Sequence, residues 1–222
     1  MLFNGRPVNP PPIPSQDPPP GGPSPNHLGL ERLIFFSDAV FAIAITLLVL
    51  DIRLPPGTSG ATSQQLLRAL MSLWPEYLAF FISFWVIGLS WVSHHRKFLY
   101  IRRIDSSLLA LNLLMLMLIA FVPFPTAVMS GSITWTATAF YALTMILMCL
   151  SGLALWWYAT HHRRLVDPHL GRAQIRRETV VPLATVVIFA SSLVIAAVAP
   201  GLARIAWILI FPLAILLRRK AA

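Results

Sequence analysis

The sequence predicts an all-α, polytopic membrane protein with six transmembrane helices in each subunit. Of its 222 residues, 57% are hydrophobic and only 11% are charged, whereas a soluble domain carries about 25% charged residues. The mean hydropathy is +0.73. After Gly29 the chain also contains a succession of apolar runs long enough to cross a bilayer. Helices are the expected form of these runs, because a helix satisfies its backbone polar groups internally.

The first 29 residues form a proline-rich tail. They hold ten of the nineteen prolines and almost no charge. Such a composition favours polyproline II structure or disorder, and the stretch lacks the basic start and apolar core of a signal peptide. The chain is therefore expected to divide into a disordered tail, residues 1–29, and a transmembrane domain, residues 30–222.

Six apolar runs are the candidate spans. Ala199-Pro200-Gly201 joins the last two in a tight turn, so these two are expected to form a hairpin. The sixth run is the least regular, because Arg204 lies near its start and Pro212 lies inside it. The runs are residues 33–50, 74–93, 107–129, 133–158, 179–199 and 202–217.

The positions of lysine and arginine predict the orientation. If the N-terminus is inside, fourteen of the seventeen basic residues face the cytoplasm, so the positive-inside rule places both termini there. The net charge of +9 then reflects topology and contact with anionic membrane lipids, and it does not indicate nucleic-acid binding. We expect a multi-pass protein of the cell membrane. The three outer basic residues are Arg53, Arg68 and Arg204; the inner ones are Arg6, Arg32, Arg96, Lys97, Arg102, Arg103, Arg163, Arg164, Arg172, Arg176, Arg177, Arg218, Arg219 and Lys220.

The first span contains a carboxylate, Asp38, which is unusual in a membrane helix. On the mild insertion scale such a group costs about 2.5–3.5 kcal/mol. On a helical wheel, Leu47 and Leu50 lie within about 40° of Ile43, Thr46 lies about 60° to one side, and Asp38 lies about 140° away. The carboxylate is therefore expected to point between helices. On the residues alone, ordinary packing or lipid contact is the expected use of the Ile43 face.

Other polar residues lie at the membrane depth predicted for Ser37 and Asp38. Trp91 and His94 lie near the cytoplasmic end of the second span, and Asn112 lies near the start of the third. Hydroxyl, carboxylate, imidazole and amide groups, together with an indole N–H, would satisfy one another in a buried network. Spacing alone leaves open whether these groups meet.

The motifs of enzymes and metal sites do not occur. Histidines are adjacent in His94-His95 and His161-His162, so their side chains diverge by about 100°, whereas helical metal pairs prefer an i,i+4 spacing. Interfacial anchoring is the expected role of His161-His162. The lone Cys149 excludes a disulfide framework within one chain. There is no phosphate-binding loop, dinucleotide fingerprint or HExxH sequence, so neither an enzyme, a metal site nor a cofactor is predicted.

The opening of the first span resembles a known family. Residues 32–38, RLIFFSD, fit the pattern RxxxFSD, and AVFAIAITLLVLDIRLP continues as in bacterial members of the transmembrane protein 175 family, relatives of the endolysosomal potassium channel. WVSHHRKF at 91–98 is similar to the WxxHHxxF end of the family's second span. Asn112 and Pro123-Phe124-Pro125-Thr126 resemble its third. The motifs cover about residues 31–130, and the remainder is similar only in its number of spans.

The resemblance implies a potassium-permeable channel in which the first helices of a homotetramer line the pore. Carried over by position, Ile43 forms the narrowest ring, Leu47 and Leu50 stack above it, and Thr46 contributes to potassium preference. Aliphatic rings gate by dewetting. No TVGYG-like carbonyl filter is present, so modest selectivity is expected. The implied partners are identical subunits, membrane lipids and permeant potassium ions, without a cofactor.

The resemblance also implies an anchoring network for the pore helix. Two questions stay open at this point. Asp51 either concentrates cations at the outer mouth or caps the helix and pairs with Arg53. A proton leak, or a secondary cation transporter that uses Asp38 and His94, is the alternative function, although a transporter would ordinarily show symmetrical broken helices. The implied network consists of Arg32, Phe36, Ser37, Asp38, Trp91, His94 and Asn112.

Overall fold

A computed structural model describes residues 25–209, with side chains described from 28 to 208. Within that range the regular secondary structure is helical, and one isolated β-bridge joins Ile101 and Val166. Short 3-10 turns occur at Leu48–Asp51, His161–Arg163 and Trp207–Leu209. The α-helices are α1 Pro25–Leu47, α2 Ser63–Ser72, α3 Trp74–Tyr100, α4 Ser106–Phe121, α5 Pro123–Gly131, α6 Trp135–Thr160, α7 Arg172–Val198 and α8 Pro200–Ala206.

Five helical stretches of the described chain are long and apolar enough to cross a membrane. They correspond to the first five predicted runs and extend beyond several of their ends, although the fourth span begins two residues after the predicted start at 133 and the fifth ends one residue before the predicted end at 199. The sixth predicted run, residues 202–217, begins within α8, and its residues from 210 onward lie outside the described range. The five spans are Leu28–Asp51, Trp74–Tyr100, Ser106–Gly131, Trp135–Arg163 and Arg172–Val198.

The helix that opens the membrane domain begins earlier than the proposed domain boundary. Residues 25–29, assigned from the sequence to the tail, belong to α1, which starts at Pro25. Proline suits the first turn of a helix, because its missing N–H has no intrahelical partner there. The rest of the predicted tail, residues 1–24, lies outside the described residues.

One stripe of α1 is buried against α3 and α4. Its buried residues are Leu33, Ser37, Phe41 and Ala44, and Leu48 of the following 3-10 turn continues the stripe. Intervals of three and four residues keep side chains on the same helical face. The bundle continues through α4 against α6 and α6 against α7. The opposite face of α1 is thus left uncovered by the described chain.

The connection after α1 contains a helix, α2, that at ten residues is too short to cross a membrane. Thr62 and Gln65 form a capping box at its N-terminus, in which the Gln65 N–H donates to the Thr62 hydroxyl and the Thr62 N–H donates to the Gln65 side chain. None of its ten residues is buried. The helix is amphipathic and short, so the feature of the sequence that indicates it is the capping box and not a long apolar run.

The third predicted run is two helices joined at Val122 and Pro123. Proline lacks a backbone N–H, so the regular ladder is interrupted there. The Ile119 carbonyl, which would have accepted the missing N–H, accepts the Val122 N–H at 3.1 Å instead. At the beginning of this span Asp105 caps α4, accepting the Leu108 N–H at 2.8 Å.

Candidate functional site

The exposed face of α1 carries the residues assigned to the pore. Ile43, Leu47 and Leu50 are 59%, 40% and 60% exposed, and Thr46 is exposed beside them. The Thr46 hydroxyl donates to the Ile43 carbonyl across 2.9 Å, so its oxygen keeps a free acceptor site. A continuous apolar face interrupted by one hydroxyl is therefore available to whatever lies beside α1.

The end of α1 tightens where the outer part of this face lies. Residues Leu48–Asp51 form a 3-10 turn, and the chain becomes extended at Ile52. A 3-10 helix has three residues per turn, so side chains three apart lie nearly above one another. Leu50 consequently lies closer to the line of Leu47 than a regular α-helical wheel places it.

Asp38 lies on the other side of α1 and is bonded to α3. The indole N–H of Trp91 donates to Asp38 Oδ1 across 2.8 Å. A hydrogen bond to an ionised acceptor is stronger than one between neutral groups. The bond offsets part of the cost of holding a carboxylate in a membrane helix and ties α1 to α3.

Ser37 begins a buried chain of hydrogen bonds that reaches α4 and returns to α3. Its hydroxyl donates to the Leu33 carbonyl at 2.8 Å and accepts from Asn112 Nδ2 at 3.0 Å. Asn112 Oδ1 lies 2.9 Å from His94 Nε2. Because an amide oxygen only accepts, this arrangement places the imidazole proton on Nε2. Ser37, His94 and Asn112 are all buried, so each bond is made away from solvent.

Aromatic contacts hold the imidazole in place. The His94 ring stacks on Phe98 with centroids 4.3 Å apart and lies 5.4 Å from the Phe41 ring of α1. The neighbouring His95 stacks on Trp91 at 5.8 Å. The two histidines thus have different surroundings: His94 belongs to the interior and His95 covers the indole that binds Asp38.

The structure brings together five of the seven residues assigned to the anchoring network. The other two, Arg32 and Phe36, are exposed on α1. Asp51 ends the 3-10 turn and is half-buried. Arg53 Nε donates to the Leu50 carbonyl at 3.3 Å, so the arginine side chain closes the end of the helix next to that carboxylate. The five joined residues are Ser37, Asp38, Trp91, His94 and Asn112.

Lys97 is a buried cation that the sequence reasoning placed among the surface charges. It is 3% exposed, and its ammonium donates to the Gly152 carbonyl of α6 across 3.1 Å. One turn earlier on the same helix, His94 is buried too, and residues three apart share a helical face. The three-residue spacing between His94 and Lys97 was therefore the feature of the sequence that could have indicated that Lys97 is buried. Beside it, Arg96 forms an ion pair with the buried Glu178 of α7 at 3.9 Å.

A second group missed from the sequence is a buried cluster of hydroxyls. Ser83 lies 2.8 Å from Thr126 and 2.9 Å from the Tyr141 hydroxyl. Trp207 stacks on the Tyr141 ring with centroids 5.0 Å apart. The cluster joins α3, α5 and α6, and all three residues are buried. Each hydroxyl has a hydrogen-bond partner, so the cluster stabilises the packing of these three helices.

Asp105 connects the loop before α4 to α6. Its Oδ2 accepts from the Tyr158 hydroxyl at 2.7 Å and lies 3.9 Å from Arg164, in addition to the capping bond from Leu108. Desolvation alone would raise the pKa of Asp105, but the hydrogen bonds from Leu108 and Tyr158 and the charge of Arg164 outweigh it and lower the pKa. The carboxylate therefore contributes in its ionised form.

The pair His161-His162 lies at the end of α6 in a 3-10 turn. The rings are 4.0 Å apart, and His161 also contacts Trp157 at 4.7 Å. His162 has a φ of 51°, in the left-handed region that few residues other than glycine adopt. In the part of the chain that the structure describes, no group of three or more His, Cys, Asp or Glu residues is arranged to hold a metal ion.

Comparison with known proteins identifies the family. Residues 32–123 match the family model described as endosomal/lysosomal potassium channel TMEM175. A potassium channel of Streptomyces collinus is 46% identical over 146 residues, which cover 63% of this chain and 68% of that protein. A potassium channel of Chamaesiphon minutus is 40% identical over 148 residues, 65% of this chain and 72% of that protein. The crystal structure of a lysosomal potassium-selective channel TMEM175 homologue from Chamaesiphon minutus superposes with a TM-score of 0.72 at 32% identity and covers 87% of this chain and 98% of that one. These relatives are ion channels and not enzymes, and the chain belongs to the TMEM175 family.

Proposed function

We propose that the protein is a potassium-permeable channel, built as a homotetramer in which α1 of each subunit lines the pore. One observation carries the proposal. The face with Ile43, Thr46, Leu47 and Leu50 is left exposed on the single chain, while the opposite face is fixed to α3 and α4 by hydrogen bonds. A helix held from behind with an uncovered apolar front is suited to surround a pore with its symmetry mates.

The constriction follows from the chemistry of that face. Four copies of Ile43, with Leu47 and Leu50 beyond it, form neutral apolar rings. Such rings exclude water when narrow and conduct when the helices separate. They offer an ion no ligands, so selectivity is modest and depends on Thr46, whose oxygen retains an acceptor site next to the narrowest ring.

The buried network is proposed to position the pore helix. Ser37 and Asp38 are consecutive residues bonded to different helices, which restrains both the rotation and the tilt of α1. Arg32 and Phe36 complete the family motif at the same end of α1 and are proposed to act between subunits or at the membrane surface. Asp51 is proposed to lie at the outer mouth, with the N-terminus and C-terminus of the chain in the cytoplasm of a cell-membrane protein.

Ion flux through purified protein tests the channel. Proteoliposomes loaded with potassium are diluted into sodium or N-methyl-glucamine buffer, and potassium efflux and bilayer current are recorded. We expect unitary current steps and a reversal potential that favours potassium. Intact tetramers that pass no potassium would remove the proposal.

A transporter or proton pathway through Asp38 and His94 predicts different data. Transport would be coupled and would show no unitary steps, and a pH-sensitive dye inside the vesicles would report proton movement without potassium current. Both residues are engaged in hydrogen bonds behind the exposed face of α1, which favours the channel.

A further inference from the structure

A cavity of about 370 Å³ lies at the end of the bundle where α3 begins and α5 ends. Its floor is apolar and fully buried, formed by Ala79, Ile82 and Met129. Its rim includes the exposed side chains of Trp74 and Ile205. The volume is in the range of about 300–1,000 Å³ found for small-molecule sites. The cavity is thus open to the surface of the bundle and lined by hydrocarbon.

One charged residue, Arg204 of α8, lines this cavity. It is 6% exposed. Its Nε donates to the Thr138 hydroxyl at 3.1 Å, Nη1 to the Met129 carbonyl at 2.7 Å and Nη2 to the Ser132 carbonyl at 2.5 Å. Every acceptor supplied by the described residues is therefore neutral. A guanidinium has five N–H donors, so two remain beyond these three bonds.

A buried cation is normally paired with an anion, because an isolated charge is costly away from water. Neutral acceptors satisfy part of the hydrogen-bonding capacity of Arg204 but leave its charge unbalanced. An anion that also carried a hydrocarbon chain would match both the charge of Arg204 and the apolar lining of the cavity. A guanidinium binds phosphate oxygens with charge-assisted hydrogen bonds.

The depth of Arg204 in the bilayer favours a lipid as the source of that anion. The α7 span ends at Val198 and α8 begins at Pro200, so Arg204 lies four residues into the returning helix. At 1.5 Å per residue this is about 6 Å inside the end of the bundle. Phospholipid headgroups meet their acyl chains at about this depth, and Trp74 on the rim has the side chain typical of that boundary.

We propose that this cavity binds an anionic phospholipid, with the phosphate paired to Arg204 and one acyl chain against α3 and α8. The bound lipid would join the start of α3 to the α7–α8 turn. It supplies a negative charge beside Arg204, where the described residues provide only neutral acceptors, and its acyl chain packs against the apolar lining of the cavity. The site is separate from the exposed face of α1, and its occupancy is measurable without ion flux.

Native mass spectrometry of the purified full chain tests the site. The protein is titrated with phosphatidylglycerol or with phosphatidylcholine of the same chains. We expect wild type to bind phosphatidylglycerol at least about tenfold more tightly, and Arg204→Gln to lose that preference. Arg68→Gln is the matched control, because Arg68 is exposed on α2 at the same end of the bundle. Its affinity should stay within about twofold of wild type.

A second variant keeps the test decisive if Arg204→Gln does not fold. Gly201 lines the cavity, and a Cβ placed there meets no atom within 4 Å. Gly201→Leu should therefore occupy the space of the acyl chain, retain Arg204 and weaken the binding of phosphatidylglycerol by about tenfold. Wild-type affinity in Gly201→Leu overturns the proposal. So does unchanged lipid preference in folded Arg204→Gln, or full displacement by glycerol phosphate, which has the headgroup charge but no chain.

Discussion

The indole nitrogen of Trp91 lies 2.8 Å from a carboxylate oxygen of Asp38, and this contact joins the third helix of the chain to the back of the first. One residue earlier, Ser37 accepts a hydrogen bond from Asn112 of α4. Two consecutive side chains of α1 are thus bound to two different helices. The exposed front of α1, with Ile43 at its centre, is consequently presented at a defined angle.

The pair Trp91 and Asp38 should be energetically coupled. Trp91→Phe removes the N–H donor, Asp38→Leu removes the acceptor, and the double variant removes both. We expect the sum of the two single losses of unfolding free energy to exceed the loss in the double variant by about 0.5–3 kcal/mol, because each single change leaves the other partner without its hydrogen bond. Chemical denaturation in detergent measures the cycle, and strictly additive losses would contradict the contact.

Ile43→Asn should raise ion leak through the protein. A polar side chain at an apolar constriction lowers the cost of wetting it. Current at fixed voltage in planar bilayers measures the effect, and potassium efflux from vesicles provides a second readout. Leu113→Asn is the matched control, since Leu113 on α4 is 54% exposed, close to the 59% of Ile43. Equal currents in both variants and wild type would reject the assigned pore face.

Thr46→Ala should weaken the preference for potassium over sodium. The hydroxyl of Thr46 is the polar group of the exposed face, and its oxygen keeps an acceptor site while its proton is bonded to the Ile43 carbonyl. The reversal potential under a potassium–sodium gradient is the measurement. Thr46→Ser retains the hydroxyl and should keep the wild-type value; a shift of the same size in both variants would assign the effect to the lost methyl group instead.

Asp105 should make stability depend on pH. Its folded-state pKa is lowered, so its contribution is fully present above the unfolded pKa of about 3.9 and is lost as the pH falls through the folded value. Asp105→Asn keeps a capping side chain but removes the charge, and Asp105→Ala also removes the cap, which costs about 0.5–2 kcal/mol.

Thermal midpoints measured from pH 7 down to pH 2 test this dependence. Wild type should exceed Asp105→Asn at neutral pH, and the difference should shrink as the pH falls below the unfolded pKa. Tyr158→Phe removes one of the bonds that lower the pKa, so it should move the transition towards higher pH. A gap between wild type and Asp105→Asn that does not change with pH would contradict the assigned role.

The spans were predictable because their signal is long and additive. Each of the five apolar runs has about the 17–25 residues that a membrane-spanning helix needs, and each forms helix in the described chain. The exact ends of the helices depend on individual residues, which an average of hydropathy over many positions does not resolve. Tyr100 ends the second span seven residues beyond the predicted end at 93, because the last turns bury Lys97 and Phe98. A charged residue such as Lys97 is normally placed outside a predicted span. In this structure its ammonium donates to a backbone carbonyl inside the bundle, so the helix continues past it.

The angular relationships on α1 were also available from the sequence, since they depend only on helical geometry. Asp38 and Ile43 lie on different faces, as the wheel indicates. Other features required the three-dimensional arrangement. The cavity beside Arg204 is formed by residues from three helices that lie far apart in the sequence. No local periodicity carries that information.

The bond between Asp38 and Trp91 also imposes an order on biogenesis. The two residues are 53 positions apart, and Ser37 and Asn112 are 75 apart. At about 5–20 residues per second, the ribosome takes roughly 3–10 s to make the indole after the carboxylate. During that interval the newly made first helix has neither Trp91 nor Asn112 as a hydrogen-bond partner. Its carboxylate is therefore unfavourable in lipid until α3 has been made. Ser37 receives Asn112 only when α4 has been made, so the hydrogen bonds that fix the back of α1 are completed one helix after α3.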